Sequence, residues 1–228
     1  MLACLESRKD TMFERNARID TSLNRQVDTM LSSAGRQGTL PIVQMGEPVL
    51  RQKTQAYTGQ LSKRTLNRLV KAMRRTMLDA PGVGLAAPQI GLSLAIAVVE
   101  DHLRDDEDDP REIAELPFRA IINPSYEPLG TAKMAFYEGC LSLEGYQAVR
   151  SRWLDITANW QDETGKKHRE AMHGWPARIF QHETDHLSGE VYIDRAEIRS
   201  LSSDDNLSEY WAFDPVPTEA ANELGFSL

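Results

Sequence analysis

Cysteine is scarce in this chain, with only Cys4 and Cys140 among 228 residues. Cys4 falls in a polar N-terminal stretch, so no structural disulfide is expected and a reducing, cytoplasmic setting fits the chain. No apolar run approaches the roughly 18 residues that a membrane-spanning helix takes, so no membrane association is expected. The N-terminus lacks an apolar segment behind a basic one, which argues against a secretory signal. Its acids Glu6, Asp10, Glu14, Asp20 and Asp28 argue against a transit peptide. An excess of basic charge is also missing. Lys and Arg number 26 against 34 Asp and Glu, for a net charge of −8. Direct nucleic-acid binding is therefore not expected, because neutralising phosphates takes clustered Lys and Arg. What is present is 41% hydrophobic residues, enough for one real core in a length that favours one domain with an extension.

Three regions are read along the chain: an N-terminal extension over 1–38, a body over 39–200, and an acidic, loop-like tail over 201–228. In the extension, Ile19, Leu23, Val27, Met30 and Leu31 recur at helical spacing and predict a helix over 16–33 lying on the body, behind a disordered stretch over 1–15. In the body, Leu66, Leu69, Val70, Met73 and Met77 form the apolar stripe of a second helix. Ser62 is placed to cap it, and Leu61 and Leu66 to form a hydrophobic staple. Residues 94–99 and 120–122 read as short strands. The acidic run Asp105 to Asp109 reads as a solvated loop, with a calcium site as the alternative. Leu154, Ile156, Ala158 and Trp160 alternate into a strand, and the turn Asp162–Gly165 leads to its antiparallel return. A last helix is expected over 176–187, with Pro176 in its first turn and Gly189 at its stop. The fold class is α+β: antiparallel strands packed around a central buried helix.

That last helix contains His182-Glu183-Thr184-Asp185-His186. Histidines four apart share a helix face, so both imidazoles can reach one metal, while Glu183 lies beside them and can touch a bound water. Trp175 and Ile179 mark the same face as apolar and inward. The bland alternative is a pair of hydrogen-bonded core histidines. A catalytic site takes a third protein ligand and keeps a position for water. Tyr192 stands where a further zincin histidine would be. Glu190 and Glu197 downstream, or Cys140 within Glu138-Gly139-Cys140-Leu141-Ser142 upstream, are the candidates. The segment 82–91 is dense in small residues, which lets a ligand approach the backbone. It is not a phosphate loop, since no GK[ST] and no helix follow, and a tight loop before a strand explains it as well. His102, His168 and His173 read as surface residues, and Asp185 as a group that orients its neighbours.

Together the three segments resemble the three motifs of peptide deformylases: GxGLAAPQ at 82–89, EGCLS at 138–142 and QHExDHLxG at 181–189. Their order and spacing fit, and the similarity runs from about Leu40 to Arg195. Trp175–Ile179 and the long extension resemble bacterial, actinobacterial members. One departure stands out, because Glu144 occupies a position where the family commonly has proline.

The resemblance implies a metal-dependent hydrolase that removes the formyl group from N-formylmethionyl peptides, nascent chains at the ribosome. It implies Cys140, His182 and His186 as ligands of one ferrous ion, with zinc, nickel or cobalt as substitutes. Glu183 would be general base and then acid, and the Gln89 side-chain amide and the Leu141 N–H would stabilise the oxyanion. A peptide can add as a strand beside Gly82 and Gly84, with Gly139 on its other side. Val83, Trp175 and Ile179 are spaced to line a methionine slot, though core packing also accounts for them. Two rivals carry less: a zincin-like metallopeptidase, which gives Cys140 no work, and a non-catalytic binder of peptide N-termini, which has no use for Glu183.

Overall fold

A computed structural model describes residues 19–35, 37–102 and 109–228. The expected disorder over 1–15, the start of the first helix at 16–18 and most of the acidic run at 105–108 lie outside the described residues.

Helix α1 (Thr21–Ser32) starts at Asp20, whose carboxylate accepts hydrogen bonds from the N–H groups of Ser22 and Leu23. Val27 is fully buried, and Leu23, Met30 and Leu31 pack against the same core. Asp28 ties this helix to the next by accepting from Arg68 at 2.8 Å. Helix α2 (Lys63–Asp79) is capped by Ser62 as its sequence predicts, and Leu61 and Leu66 are both buried.

The strands form two antiparallel sheets. The larger has the order β1-β2-β3-β6-β7, from β1 (Gly84–Ala86), β2 (Ile96–Asp101), β3 (Leu116–Pro128), β6 (Asp155–Gln161) and β7 (Lys167–His173). The smaller has the order β4-β5-β8, from β4 (Lys133–Cys140), β5 (Leu143–Trp153) and β8 (Ser202–Ser203). The alternation of β2 sets the layering. Ile96 and Val98 face the core shared with α1 and α2, whereas Ala97 and Val99 face the core shared with helix α3 (Gly174–Leu187). Helix α3 packs against strands of both sheets and is the buried helix of the predicted α+β fold.

Four expectations change. The short strand at 120–122 is the middle of a thirteen-residue strand. It pairs with β2 as far as Ile122, which also pairs with Gln161 of β6, then bulges and resumes its pairing with β6 at Ser125. Asn123 sits at the bulge with φ +49°, and its amide exchanges hydrogen bonds with the backbone of Tyr57 on both sides. The glycine-rich segment is more than a loop, because Gly84–Ala86 is a strand paired to β2. His168 is no free surface group: its ring stacks on Trp160 at 5.0 Å and its Nε2 lies 2.8 Å from Asp162. Finally, the acidic tail is folded. After β8 come α4 (Asp204–Asn206), a π-helical turn (Leu207–Trp211) and α5 (Thr218–Leu224). Small Ala220 and Ala221 are buried, and Arg199 donates to the Leu224 carbonyl, so the anchorage leaves little hydrophobic signal.

Candidate metal centre and peptide cleft

The HExxH face of α3 points into the space between the two sheets. Nitrogen atoms of His182 and His186 and the Cys140 sulfur all lie within 4.8 Å of one another. His186 Nε2 is 3.3 Å from Cys140 Sγ. Metal–ligand bonds of about 2.1 Å to nitrogen and 2.3 Å to sulfur set tetrahedral donors roughly 3.5 Å apart, so these three fit around one ion. Of the other candidate ligands, Glu190 is occupied by Arg150 at 2.6 Å and Arg195 at 2.9 Å. Glu197 falls outside the one metal-ligating cluster found among the described residues.

The electrostatics support the same reading. Burial pushes the Cys140 thiol up to about 12, reinforced by the Glu183 and Glu138 carboxylates against the opposing amides of Ser142 and Leu143. Burial, then the neighbouring His182 and Arg152, holds His186 well below its ordinary value. His186 Nδ1 and Glu183 Oε2 are buried without a hydrogen-bond partner among the described residues. A pocket that disfavours charge on Cys140, His186 and Glu183, yet collects a thiol, two imidazoles and a carboxylate, is one that a divalent cation satisfies. One sulfur and two nitrogens suit iron, zinc, nickel or cobalt better than magnesium or calcium.

His182 is held by a residue to which the sequence alone assigns no role. Glu138 Oε2 lies 3.1 Å from His182 Nδ1. Burial raises the pKa of Glu138, but Arg152, the hydrogen bond from His182 and Arg178 outweigh it and keep the group well below the carboxylate range. An ionised carboxylate only accepts, so Nδ1 carries the proton and Nε2 keeps its lone pair. Arg152 donates to both Glu138 oxygens, at 2.6 and 2.9 Å, and to Asp185 at 2.7 Å. Asp185 also accepts from Tyr126 and Arg150, so it orients arginines and a tyrosine and no histidine. The available signal for Glu138 is parity: two residues before Cys140 on one strand, it points to the same face.

Glu183 is buried, and burial lifts its pKa to about 8, with Glu138 and Asp185 adding to the rise and Arg152 opposing it. Its carboxyl packs so closely on Gly84 that a Cβ there would overlap it. At Gly82 a Cβ would come within 2.8 Å of the Leu141 side chain. These glycines therefore make room for the chain's own site residues, a reason the sequence alone does not reveal. Gln89 Oε1 accepts from the Ala86 N–H at 2.7 Å, which fixes the amide with its Nε2 toward Cys140 Sγ at 3.5 Å. The loop after Cys140 is tied by Gln44, whose Nε2 donates to the Leu141 carbonyl and whose Oε1 accepts from the Glu144 N–H. Proline at 144 would lack that N–H.

Glu138, Cys140, His182, Glu183, Gln89 and Gln44 border a cleft of about 990 Å³. Gly82, Val83, Gly84 and Gln89 line one side, Gly139, Cys140 and Leu141 the other, and Trp175, Ile179, His182 and Glu183 the floor. The site residues named from sequence are thus brought together, with His186 buried beneath them. The cleft lies between the β1 edge of one sheet and the β4 edge of the other.

Comparison with known proteins agrees. Residues 39–201 match the family model described as polypeptide deformylase. The chain is 70% identical over 217 residues to "Peptide deformylase 1" of Bifidobacterium longum, covering 95% of this chain and all of that one. It is 67% identical over 218 residues to "Peptide deformylase" of Bifidobacterium adolescentis, covering 95% and 100%. The fold is similar to the Met-Ala-Ser-bound crystal structure of a class I type b peptide deformylase from Acinetobacter baumannii. That likeness has a TM-score of 0.62 and 29% identity, and covers 69% of this chain and 98% of that one. A three-motif constellation, a metal-ligating triad and relatives matched along their whole length lead to one family, and the chain belongs to the polypeptide deformylases.

Proposed function

We propose that this site removes the formyl group from N-formylmethionyl peptides, with Cys140, His182 and His186 holding one divalent cation and Glu183 moving the proton. The observation that carries the reading is the buried, unpartnered Glu183 oxygen beside the Cys–His–His cluster, at the floor of a cleft with an open strand edge on either side. When bound, the cation supplies a Lewis acid that brings the pKa of water toward about 7. Glu183 accepts the proton from the attacking water and returns it to the leaving amine. The C–N bond of the formamide breaks, giving formate and a free N-terminal methionine. Gln89 Nε2 and the Leu141 N–H stabilise the oxyanion of the tetrahedral adduct. The peptide backbone adds as a strand between β1, at Gly82 and Gly84, and β4, at Gly139. Pairing through the backbone tolerates any sequence. Val83, Trp175 and Ile179 form the methionine slot.

The resident ion we infer is ferrous iron, with zinc, nickel or cobalt able to replace it. The substrates are nascent chains at the ribosome, which places the protein in the cytoplasm. No helix among the described residues is long and apolar enough to cross a membrane. Nucleic-acid contact is not part of the proposal: Arg68 and Arg74 on α2 are committed to Asp28 and Glu100.

Turnover of formyl-Met-Ala-Ser alongside metal analysis tests the reading. Anaerobically purified protein should hold one iron per chain and release formate, and Cys140→Ala should lose most of its metal. Stoichiometric metal in Cys140→Ala, held by a carboxylate, would falsify the ligand assignment. Air exposure is expected to inactivate the iron form faster than nickel or cobalt forms, because ferrous ion and thiolate both oxidise. An iron enzyme that keeps full activity through prolonged aeration would argue for another resident ion.

A further inference from the structure

The two oxyanion groups come from different elements, Gln89 from the short helix after β1 (Ala87–Ile90) and Leu141 from the turn between β4 and β5. One segment outside the three sequence motifs ties both. The Val43 N–H donates to the Gln89 carbonyl at 2.9 Å, and the Met45 N–H donates to the Ser142 carbonyl at 2.8 Å. Between them, Gln44 Nε2 donates to the Leu141 carbonyl at 3.0 Å, and Gln44 Oε1 accepts from the Glu144 N–H at 3.3 Å. The segment is itself anchored. Before it, the Leu40 N–H donates to Thr76 Oγ1 at 2.8 Å, and at its end Met45 packs in one cluster with Cys140 and Leu143.

We propose that Gln44 is a positioning residue for the reaction, bracing the turn 141–144 so that the Leu141 N–H stays aimed at the oxyanion. The inference rests on the deformylase reading above and adds a residue to it. The turn needs a brace because the sheet supplies none. Strands β4 and β5 pair Gly139 with Gln147 and then Cys140 with Leu143, so residues 144–146 bulge out of the ladder. Gly145, at φ +82°, adds no stiffness there. Where the family commonly has proline, this chain has Glu144, with a freer φ and an N–H to satisfy. The Gln44 amide takes up that N–H and, through its other end, fixes the Leu141 carbonyl. An oxyanion donor acts through being held in place beforehand, so a donor that wanders loses much of its effect. Gln44 is exposed, and its two hydrogen bonds join one side chain to one turn. Its loss should therefore show in the rate far more than in the stability.

The test is Gln44→Met, which keeps the length of the side chain and removes both hydrogen bonds, in metal-loaded full-length enzyme acting on formyl-Met-Ala-Ser. kcat should fall about tenfold, the scale of a misplaced reacting group short of its removal. KM should stay within about twofold, because the backbone pairing that seats the peptide is untouched. Metal content should remain one ion per chain, and the melting temperature should move by about 2 °C or less. Glu144→Pro supplies the rescue. Leu143 is already extended, as the residue before a proline must be, and the ring stiffens the turn without Gln44. In that background Gln44→Met should cost about threefold or less. Wild type that releases no formate sinks the deformylase reading and the inference with it. With wild-type turnover in hand, four results overturn the role of Gln44 alone: an unchanged kcat, a loss confined to KM, a loss that tracks metal content or melting temperature, or a tenfold loss that persists beside proline. A proline background without turnover also counts against it, since stiffness at 144 would then not be what the turn lacks.

Discussion

Glu183→Gln is expected to keep one metal ion per chain and to lose roughly two to four orders of magnitude in kcat, the span of a general acid–base contribution. The substitution preserves the shape that Gly84 accommodates and removes the ability to take a proton. Metal should stay because the donor cluster is Cys140, His182 and His186, without Glu183. Burial suits the native carboxyl to proton transfer. It raises the pKa to about 8 in the metal-free protein, and a bound cation would draw it down again, leaving a carboxylate able to accept a proton and return it. KM should move little, since backbone pairing holds the peptide. Metal analysis and steady-state rates on one preparation decide it. Near-normal turnover with metal bound would assign the proton transfer to another group.

Arg152→Met should cost the largest stability loss of any single change outside the metal cluster, on the order of 3–5 kcal/mol. Arg152 is 2% exposed in its side chain and bridges two buried carboxylates, Glu138 and Asp185. Methionine fills the volume but leaves both acids short of positive charge. For a chain of this size the melting temperature should fall by about 10 °C. The sign of the pH dependence follows from Glu138, whose folded pKa lies below its unfolded value. Its contribution is present above the unfolded pKa of about 4.5 and is lost as pH falls through the folded one. The gap between wild type and variant should therefore be widest near neutrality and narrow in acid. Denaturant titrations at both pH values, with and without chelator, read it. A gap that stays constant with pH would mean that the arginine matters for packing alone. Loosening of Glu138 should also weaken metal binding, because His182 loses its fixed orientation.

How much of the fold and the site is legible in the sequence depends on where the charges point. Helix α2 and the β6–β7 hairpin are readable because their inward faces are apolar, as Leu66, Leu69 and Met73 or Ile156, Ala158 and Trp160 show. Strands β4 and β5 obey the same alternation, yet their inward faces carry Glu138, Arg150 and Arg152. A strand that buries arginine and glutamate does not look like one in a hydrophobicity pattern, so the hairpin holding Cys140 is hidden from it. The metal ligands are legible because their chemistry is rare at that spacing, and the family resemblance supplies the third. Glycines 82 and 84 stand out in the sequence, but their closest neighbours come from the β4–β5 turn and α3, and such contacts cannot be seen before the chain is folded. Segment 204–214 looks solvated from its acids, although the pairing of Ser202 and Ser203 to β5 before it and the small buried Ala220 and Ala221 after it hold it in place.

The two strand edges flanking the cleft set a limit in time as well as in space. A guest seated between β1 and β4 must offer a single extended strand with its amide and carbonyl groups still free. A methionine whose neighbours have already paired within a sheet or wound into a helix has spent those groups and cannot be read. The chemistry therefore competes with the folding of its own substrate, and the race is run residue by residue as synthesis proceeds. Proteins whose first residues fold early should be the ones that keep their formyl group.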